Sequence, residues 1–222
     1  MMSRVMRTGE LAAMARGLAA RGSGGRAVLG LAGPPGAGKS TLAVALVARL
    51  RERYGPRAAA YVPLDGFHLS NAQLDRLGLA ARKGSPPTFD VHGYAALLRR
   101  LVDEPEHDVY VPDFDRALDE PVAARHVVRP GTRLVVTEGN YLACELPGWS
   151  GARECLDELW YVDADPEERR RRLVERQLAG GRTDRAARDW VRTNDMPNAG
   201  IVEASRDAPW VALSFVWSGH DQ

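Results

Sequence analysis

The chain has 222 residues, is 45 % hydrophobic and carries a formal net charge of +1, enough to bury a substantial core as one domain over 1–222 with a small insert. That balance gives no argument for nucleic-acid or membrane binding, and no apolar run reaches transmembrane length. The only cysteines, Cys144 and Cys155, lie in no C-x-x-C or His/Cys cluster and read as free thiols, so the expected location is cytoplasmic; a homodimer is left open.

Thr8 to Arg21 alternate Leu, Ala and Met with Arg and Glu at helical spacing, and Gly22-Ser23-Gly24-Gly25 closes this stretch, making 1–25 an amino-terminal helix and linker. Ala27 to Ala32 then read as a buried strand. It runs into Gly33-Pro34-Pro35-Gly36-Ala37-Gly38-Lys39-Ser40-Thr41, which has the spacing G-x-x-x-x-G-K-[ST] of a phosphate-binding loop, followed by a helix over Thr41 to Leu50. Gly33, Gly36 and Gly38 let successive N–H groups converge on phosphate oxygens, with Ala37 and Thr41 completing the cradle. Lys39 adds a point charge, Ser40 offers a hydroxyl to Mg²⁺, and the helix dipole points at the same phosphates. Lys39 and Lys83 are the only lysines among otherwise arginine-only cations, so both are candidates for chemistry that needs an ammonium.

Ala58 to Leu64 predict a second buried strand ending at Asp65-Gly66-Phe67-His68. Ligands of open parallel sheets sit beyond the carboxyl ends of strands, so Asp65 is placed to accept a proton from an attacking hydroxyl or to help hold Mg²⁺. A loop-rich stretch with a short helix at Asn71 to Leu77 carries Lys83. Asp90 is expected to cap a helix from Val91 to about Val102. Val109 to Arg116 and Val122 to Val128 read as two short strands, or a strand and an extended segment, completing a β-rich insert over 66–130.

Leu134 to Thr137 form a further strand candidate ending in Glu138, the Walker B pattern of an apolar run closed by an acid that reaches Mg²⁺. Leu156 to Asp163 predict another strand, and Pro166 opens a charged helix through Leu178. Arg169, Arg172 and Arg176 share one face of it, and Gly180-Gly181 follow. As a solvated helix its charge is offset by Glu175 and its neighbours; as a lid over 166–195 it closes on the nucleotide. A helix from Asp184 to Thr193 leads to Asn194-Asp195-Met196-Pro197-Asn198, and Trp210 to Val216 read as a last strand.

Together the phosphate loop, Asp65, Lys83-Gly84, Pro112 to Arg116, Glu138 and the arginine helix resemble the P-loop kinases that include uridine kinase, phosphoribulokinase and type I pantothenate kinase. The small members labelled nucleoside/nucleotide kinase or fructose-transport-system kinase are nearest. The resemblance spans roughly Arg26 to Asn198. It implies an α/β three-layer fold with a mainly parallel sheet flanked by helices, an acceptor insert and an Arg-rich lid. It also implies a kinase using ATP and Mg²⁺ on a hydroxyl of a small-molecule acceptor. In that reading Asp65 is the base and Lys39, Arg172 and Arg176 serve catalysis and nucleotide binding. Ser40 and Glu138 hold the metal. His68, Lys83, Phe114, Asp115, Arg116 and Glu138 line the acceptor side. Phe114 departs from the Pro-x-Tyr-Asp segment of uridine kinases, and Arg116 stands where pantothenate kinase has a histidine. A cationic Arg116 near Lys83 and His68 would tolerate an acidic or phosphorylated acceptor, or be paired with Asp113 or Asp115. Rival readings are a GTPase-type switch, which lacks the lysine of an Asn-Lys-x-Asp segment at Asn194, a partner-driving ATPase, and a nucleoside monophosphate kinase.

Overall fold

A computed structural model of the chain describes residues 4–21 and 25–219; the Gly22 to Gly24 part of the expected linker lies outside them. Six parallel strands make the central sheet: β1 (Arg4–Met6), β2 (Ala27–Ala32), β3 (Ala60–Pro63), β6 (Leu134–Glu138), β7 (Glu158–Asp163) and β8 (Leu213–Trp217), in the order β1-β8-β7-β2-β6-β3. β2 and β6 are buried along their whole lengths, as strands covered on both faces must be. Period-two alternation sorts their side chains. Leu29, Leu31 and Val136 pack with α1 (Thr8–Arg21) and α2 (Lys39–Tyr54) on one face. Val28 and Val135 pack on the other with Tyr94, Leu98 and Leu101 of α4 (Val91–Asp103) and with α5 (Ser150–Arg153). Among the described residues no helix is long and apolar enough to cross a membrane.

The remaining elements gather at one end of the sheet. α3 (Asn71–Leu77) is capped by Ser70, whose Oγ accepts from the Gln73 N–H, and α4 by Asp90, accepting from the Gly93 N–H. β4 (Val109–Asp115) and β5 (Glu120–Val128) pair as an antiparallel ribbon separate from the main sheet. Asp165 accepts from the Glu167 and Glu168 N–H groups to start α6 (Pro166–Ala179), with Pro166 in its first turn. α7 (Asp184–Trp190) follows, then a π-helical turn (Val191–Asp195) and α8 (Met196–Glu203). Leu173 and Val174 of α6 bury against Ala187, Val191 and Met196 in a small core of their own.

Three boundaries differ from expectation for local reasons. The third strand stops at Pro63 because Leu64–Phe67 wind into a 3₁₀ turn carrying Asp65. The helix expected to end at Thr193 instead widens into the π turn and restarts, with Pro197 tolerated in the first turn of α8, where an N–H is not needed. Trp210 is not in the last strand; its Nε1 donates to Ala143 O and Arg153 stacks 4.4 Å from its ring centroid.

Candidate active site

Strand register brings the site together. Leu31 and Pro63 both lie opposite Glu138, so the phosphate loop after β2, the Asp65 turn after β3 and the end of β6 emerge side by side. The loop itself fits closely against its neighbour strand: at Gly33, φ is +144° and a Cβ would lie 2.1 Å from Val162 O, so no other residue fits there. Lys39, 6 % exposed, donates to Pro34 O (3.1 Å) and Asn140 Oδ1 (2.7 Å). Burial lowers its pKa, against the nearby Glu138 and Asp65, which favour the ammonium.

Glu138 is almost wholly buried and accepts from Tyr61 Oη at 2.9 Å, with Ser40 as a further hydrogen-bond partner. Desolvation and the negative field of Asp65 push its carboxyl up, with Lys39 opposing. The Asp65 carboxylate lies 3.5 Å from Arg116 Nη2, so Arg116 pairs with Asp65 rather than with the expected Asp113 or Asp115. A carbonyl can only accept, so His68 Nδ1 carries a proton to Asp65 O (2.8 Å), and burial lowers the pKa of the ring. Lys83 Nζ donates to Asn71 Oδ1 and Asp119 O, pairs with the Asp119 carboxylate at 2.9 Å, and sits 4.9 Å from the Phe114 ring centroid.

Two cavities flank these groups. One of about 260 Å³ is lined by Gly36, Gly38, Lys39, Ser40, Glu138 and Arg172 among others. The second, about 830 Å³, is lined by His68, Lys83, Phe89, Phe114, Trp190 and Asp195 among others. They share Pro35, Asp65, Arg116, Asn140 and Arg176. Arg172 reaches Gly36 O at 3.2 Å and pairs with Glu168. Arg176 is walled in enough that desolvation lowers its pKa, with Asp195 and Asp65 as its opposing charges.

Two expectations need correction. Asp115 is not in either lining: its carboxylate accepts from the Ala117 and Leu118 N–H groups and pairs with Arg125, so it shapes the ribbon's turn, and these partners hold its pKa low. Arg169 does not share the cavity with Arg172 and Arg176; it is 1 % exposed, pairs with Glu203, and its backbone supports the loop beneath Gly36. Asn140, which orients Lys39, had no role in the sequence reading although it stands two residues beyond Glu138, and Asn198 and Asp195 carry no motif of their own.

No family model matches the chain. A Schizosaccharomyces pombe protein named "Putative uridine kinase C227.14" is 35 % identical over 194 residues, spanning 85 % of this chain and 83 % of that one. A Silicibacter sp. TM1040 structure described as a "putative fructose transport system kinase" is 37 % identical with a TM-score of 0.80, covering 92 % of this chain and 98 % of that one. Saccharomyces cerevisiae YFH7, at 21 % identity and a TM-score of 0.83 over 97 % and 99 % of the two chains, shares the fold. With relatives this similar over most of their length, and with the phosphate loop set in this parallel sheet, the chain belongs to the uridine kinase-like family of P-loop kinases and is an ATP-dependent kinase.

Proposed function

We propose that this kinase transfers the γ-phosphoryl group of ATP to a hydroxyl of a small metabolite, a nucleoside, sugar or pantothenate-like alcohol. The observation that carries the reading is the junction of the two cavities: Asp65, Arg116, Asn140 and Arg176 belong to both, so a group in either one meets the other at the same carboxylate. The smaller cavity, backed by Lys39 and the loop amides, suits the phosphates; the larger suits the acceptor. As the acceptor oxygen bonds to phosphorus and the bond to the departing ADP oxygen breaks, Asp65 takes the hydroxyl proton. Lys39, Arg172 and Arg176 offset the negative charge gathered there, and the walls exclude competing water.

Ser40 and Glu138 fit a magnesium ion. Among the described residues no group of three His, Cys, Asp or Glu side chains forms a metal cage, and a single buried carboxylate beside a hydroxyl is the protein share expected when nucleotide phosphates supply the other ligands. Magnesium held there by Ser40 and Glu138 would offset the negative charge of the nucleotide phosphates during transfer. Tyr61 orients the Glu138 carboxylate by its hydrogen bond.

The test is ADP production from Mg·ATP against a panel that includes uridine and fructose, after the names of the similar proteins, with cytidine, nicotinamide riboside, pantothenate and sugar phosphates. One acceptor should raise the rate far above background and yield a phosphorylated product by mass spectrometry. Asp65→Asn should then lower kcat about 10²–10⁴-fold and leave ATP affinity within a few-fold. Acceptor-independent turnover unchanged by Asp65→Asn would overturn the reading.

A further inference from the structure

Asn140 lines both cavities and touches the phosphate-loop lysine, and the transfer scheme above gives it no task. Its segment is pinned on either side. Gly139 N donates to Leu31 O at 3.0 Å, and a Cβ on Gly139 would stand 2.4 Å from the Leu64 side chain. Tyr141 is fully buried and donates from Oη to Gly84 O at 2.6 Å. The residue between them is held in place by its neighbours alone, which is what a group that must not reorganise during transfer requires.

The direction of the amide follows from its partner. An ammonium only donates, so the atom 2.7 Å from Lys39 Nζ is the Asn140 oxygen, and Nδ2 occupies the other arm of the planar amide. Among the described residues Nδ2 has no hydrogen-bond partner, and it is not sealed off from the space around it. Asn140 lines the two cavities where they meet, with Asp65, Arg116 and Arg176, so its amide offers N–H donors at that junction. Lys39 drawing on the carbonyl strengthens them, since linked hydrogen bonds polarise one another.

A phosphate-loop lysine reaches the β- and γ-phosphates, and Nδ2 lies one amide group from Lys39, in the space shared with the larger cavity. The group that crosses that space is the γ-phosphoryl, whose non-bridging oxygens carry the charge throughout the transfer. An uncharged donor suits the position. A further cation beside Asp65 would pair with that carboxylate, as Arg116 does, and weaken it as a base, whereas an amide binds phosphoryl oxygens and leaves Asp65 its proton affinity. We propose that Asn140 is a further catalytic residue: its Nδ2 donates a hydrogen bond to a non-bridging oxygen of the γ-phosphoryl group, and Lys39, bound to its Oδ1, sets the direction of that donor. The inference deepens the kinase reading and rests on it.

The experiment uses the full chain, Asn140→Ala and Asn140→Asp. Binding of Mg·ADP and of the magnesium complex of the non-hydrolysable β,γ-imido analogue of ATP is followed by calorimetry, and turnover by ADP release with the acceptor panel above. Asn140→Ala should bind the ATP analogue about tenfold or more weakly, the loss of one hydrogen bond to a charged group, while its affinity for ADP, which has no γ-phosphoryl, stays within threefold. With an acceptor present its kcat should fall about 10²–10³-fold, as when one preorganised donor is removed from a transition state. Asn140→Asp keeps an oxygen for Lys39 and loses the donor, so its kcat should fall at least as far. If the amide served only to hold Lys39, Asn140→Asp would instead work nearly as well as the wild type, and Asn140→Ala would lose ADP and the ATP analogue alike. Either of those results, or an unchanged ratio of the two affinities, would overturn the proposal. Both variants must keep the wild-type circular dichroism spectrum, and the nearly isosteric Asn140→Asp answers the question through its kcat and its affinity ratio if Asn140→Ala fails to fold. Should no acceptor raise ADP release, the transfer to a hydroxyl falls, and the two nucleotide affinities decide the contact of Asn140 with the γ-phosphoryl by themselves.

Discussion

A buried carboxylate with one oxygen left unpaired advertises itself through its pH dependence. Asp195 is pushed up by desolvation, against Arg176, the Gln177 hydrogen bond and Arg182. The folded chain therefore holds this proton more tightly than the unfolded chain, where the group titrates near 3.9. The sign follows: the penalty is fully present above the folded pKa, shrinks as pH falls through it, and vanishes below the unfolded value. Asp195→Asn should thus melt above the wild type at pH 8, by about 2–4 °C for each kcal/mol relieved, and the gap should close toward pH 4. A gap independent of pH in thermal melts would show that charge is not its cause. Residues of this kind are hard to read from sequence. Gly33 to Thr41 were legible because phosphate binding needs a fixed spacing along one segment. Asp195, Asn140 and Asn198 come from elements that meet only in the folded chain, and an Asp after an Asn is equally a turn signal. Asp115 misled for the converse reason: local sequence resemblance says nothing of the N–H groups two and three residues on that claim its carboxylate.

At the scale of elements, the acceptor side proposed above is a matter of how closely the ribbon lies on the Asp65 turn. A Cβ on Gly66 would stand 2.4 Å from Pro112 O, so β4 crosses the turn at a distance only glycine allows. The ribbon's far end is tied by Glu120, which accepts from the Asn71 N–H, and by the Lys83–Asp119 pair. Gly66→Ala should push the ribbon off the turn and raise the acceptor KM about tenfold or more, while ATP titrations stay within threefold. Equal losses for both ligands would mean that the turn itself had collapsed. Strands and helices with strong periodicity were read close to their bounds, as with Asn71–Leu77, which matches in full. The π turn and α8 were not, because their signal is the burial of Val191 and Met196 against α6, a tertiary contact that overrides the apparent stop at Pro197.

For the molecule as a whole, β2 is the strut between the phosphate loop and the segment that carries the ribbon. Its carboxyl end enters the phosphate loop; beside its amino end, Arg26 is 5 % exposed and donates to the carbonyls of Leu101, Pro105, Arg129 and Thr132 at 2.5–3.4 Å. Those carbonyls lie in the last turn of α4 and just beyond it, and after β5, at the two points where the segment carrying the ribbon joins the sheet. The parallel sheet itself was predictable from buried apolar runs, but this knot was not, since one arginine among many carries no pattern. Arg26→Ala would leave four carbonyls short of a donor and should cost about 3 kcal/mol, lowering Tm by ~6–12 °C. A melt within 2 °C of the wild type would show that solvent replaces the guanidinium without loss.

Because the knot lies at the opposite end of β2 from the loop, such a lesion is silent in the chemistry and speaks only through abundance. Purified at low temperature, the Arg26→Ala enzyme should keep the wild-type KM values; in a growing cell, quality control would remove it on warming. That is the behaviour of a temperature-sensitive allele, and it would let the physiological role of the kinase be switched off by a shift of the incubator rather than by deletion.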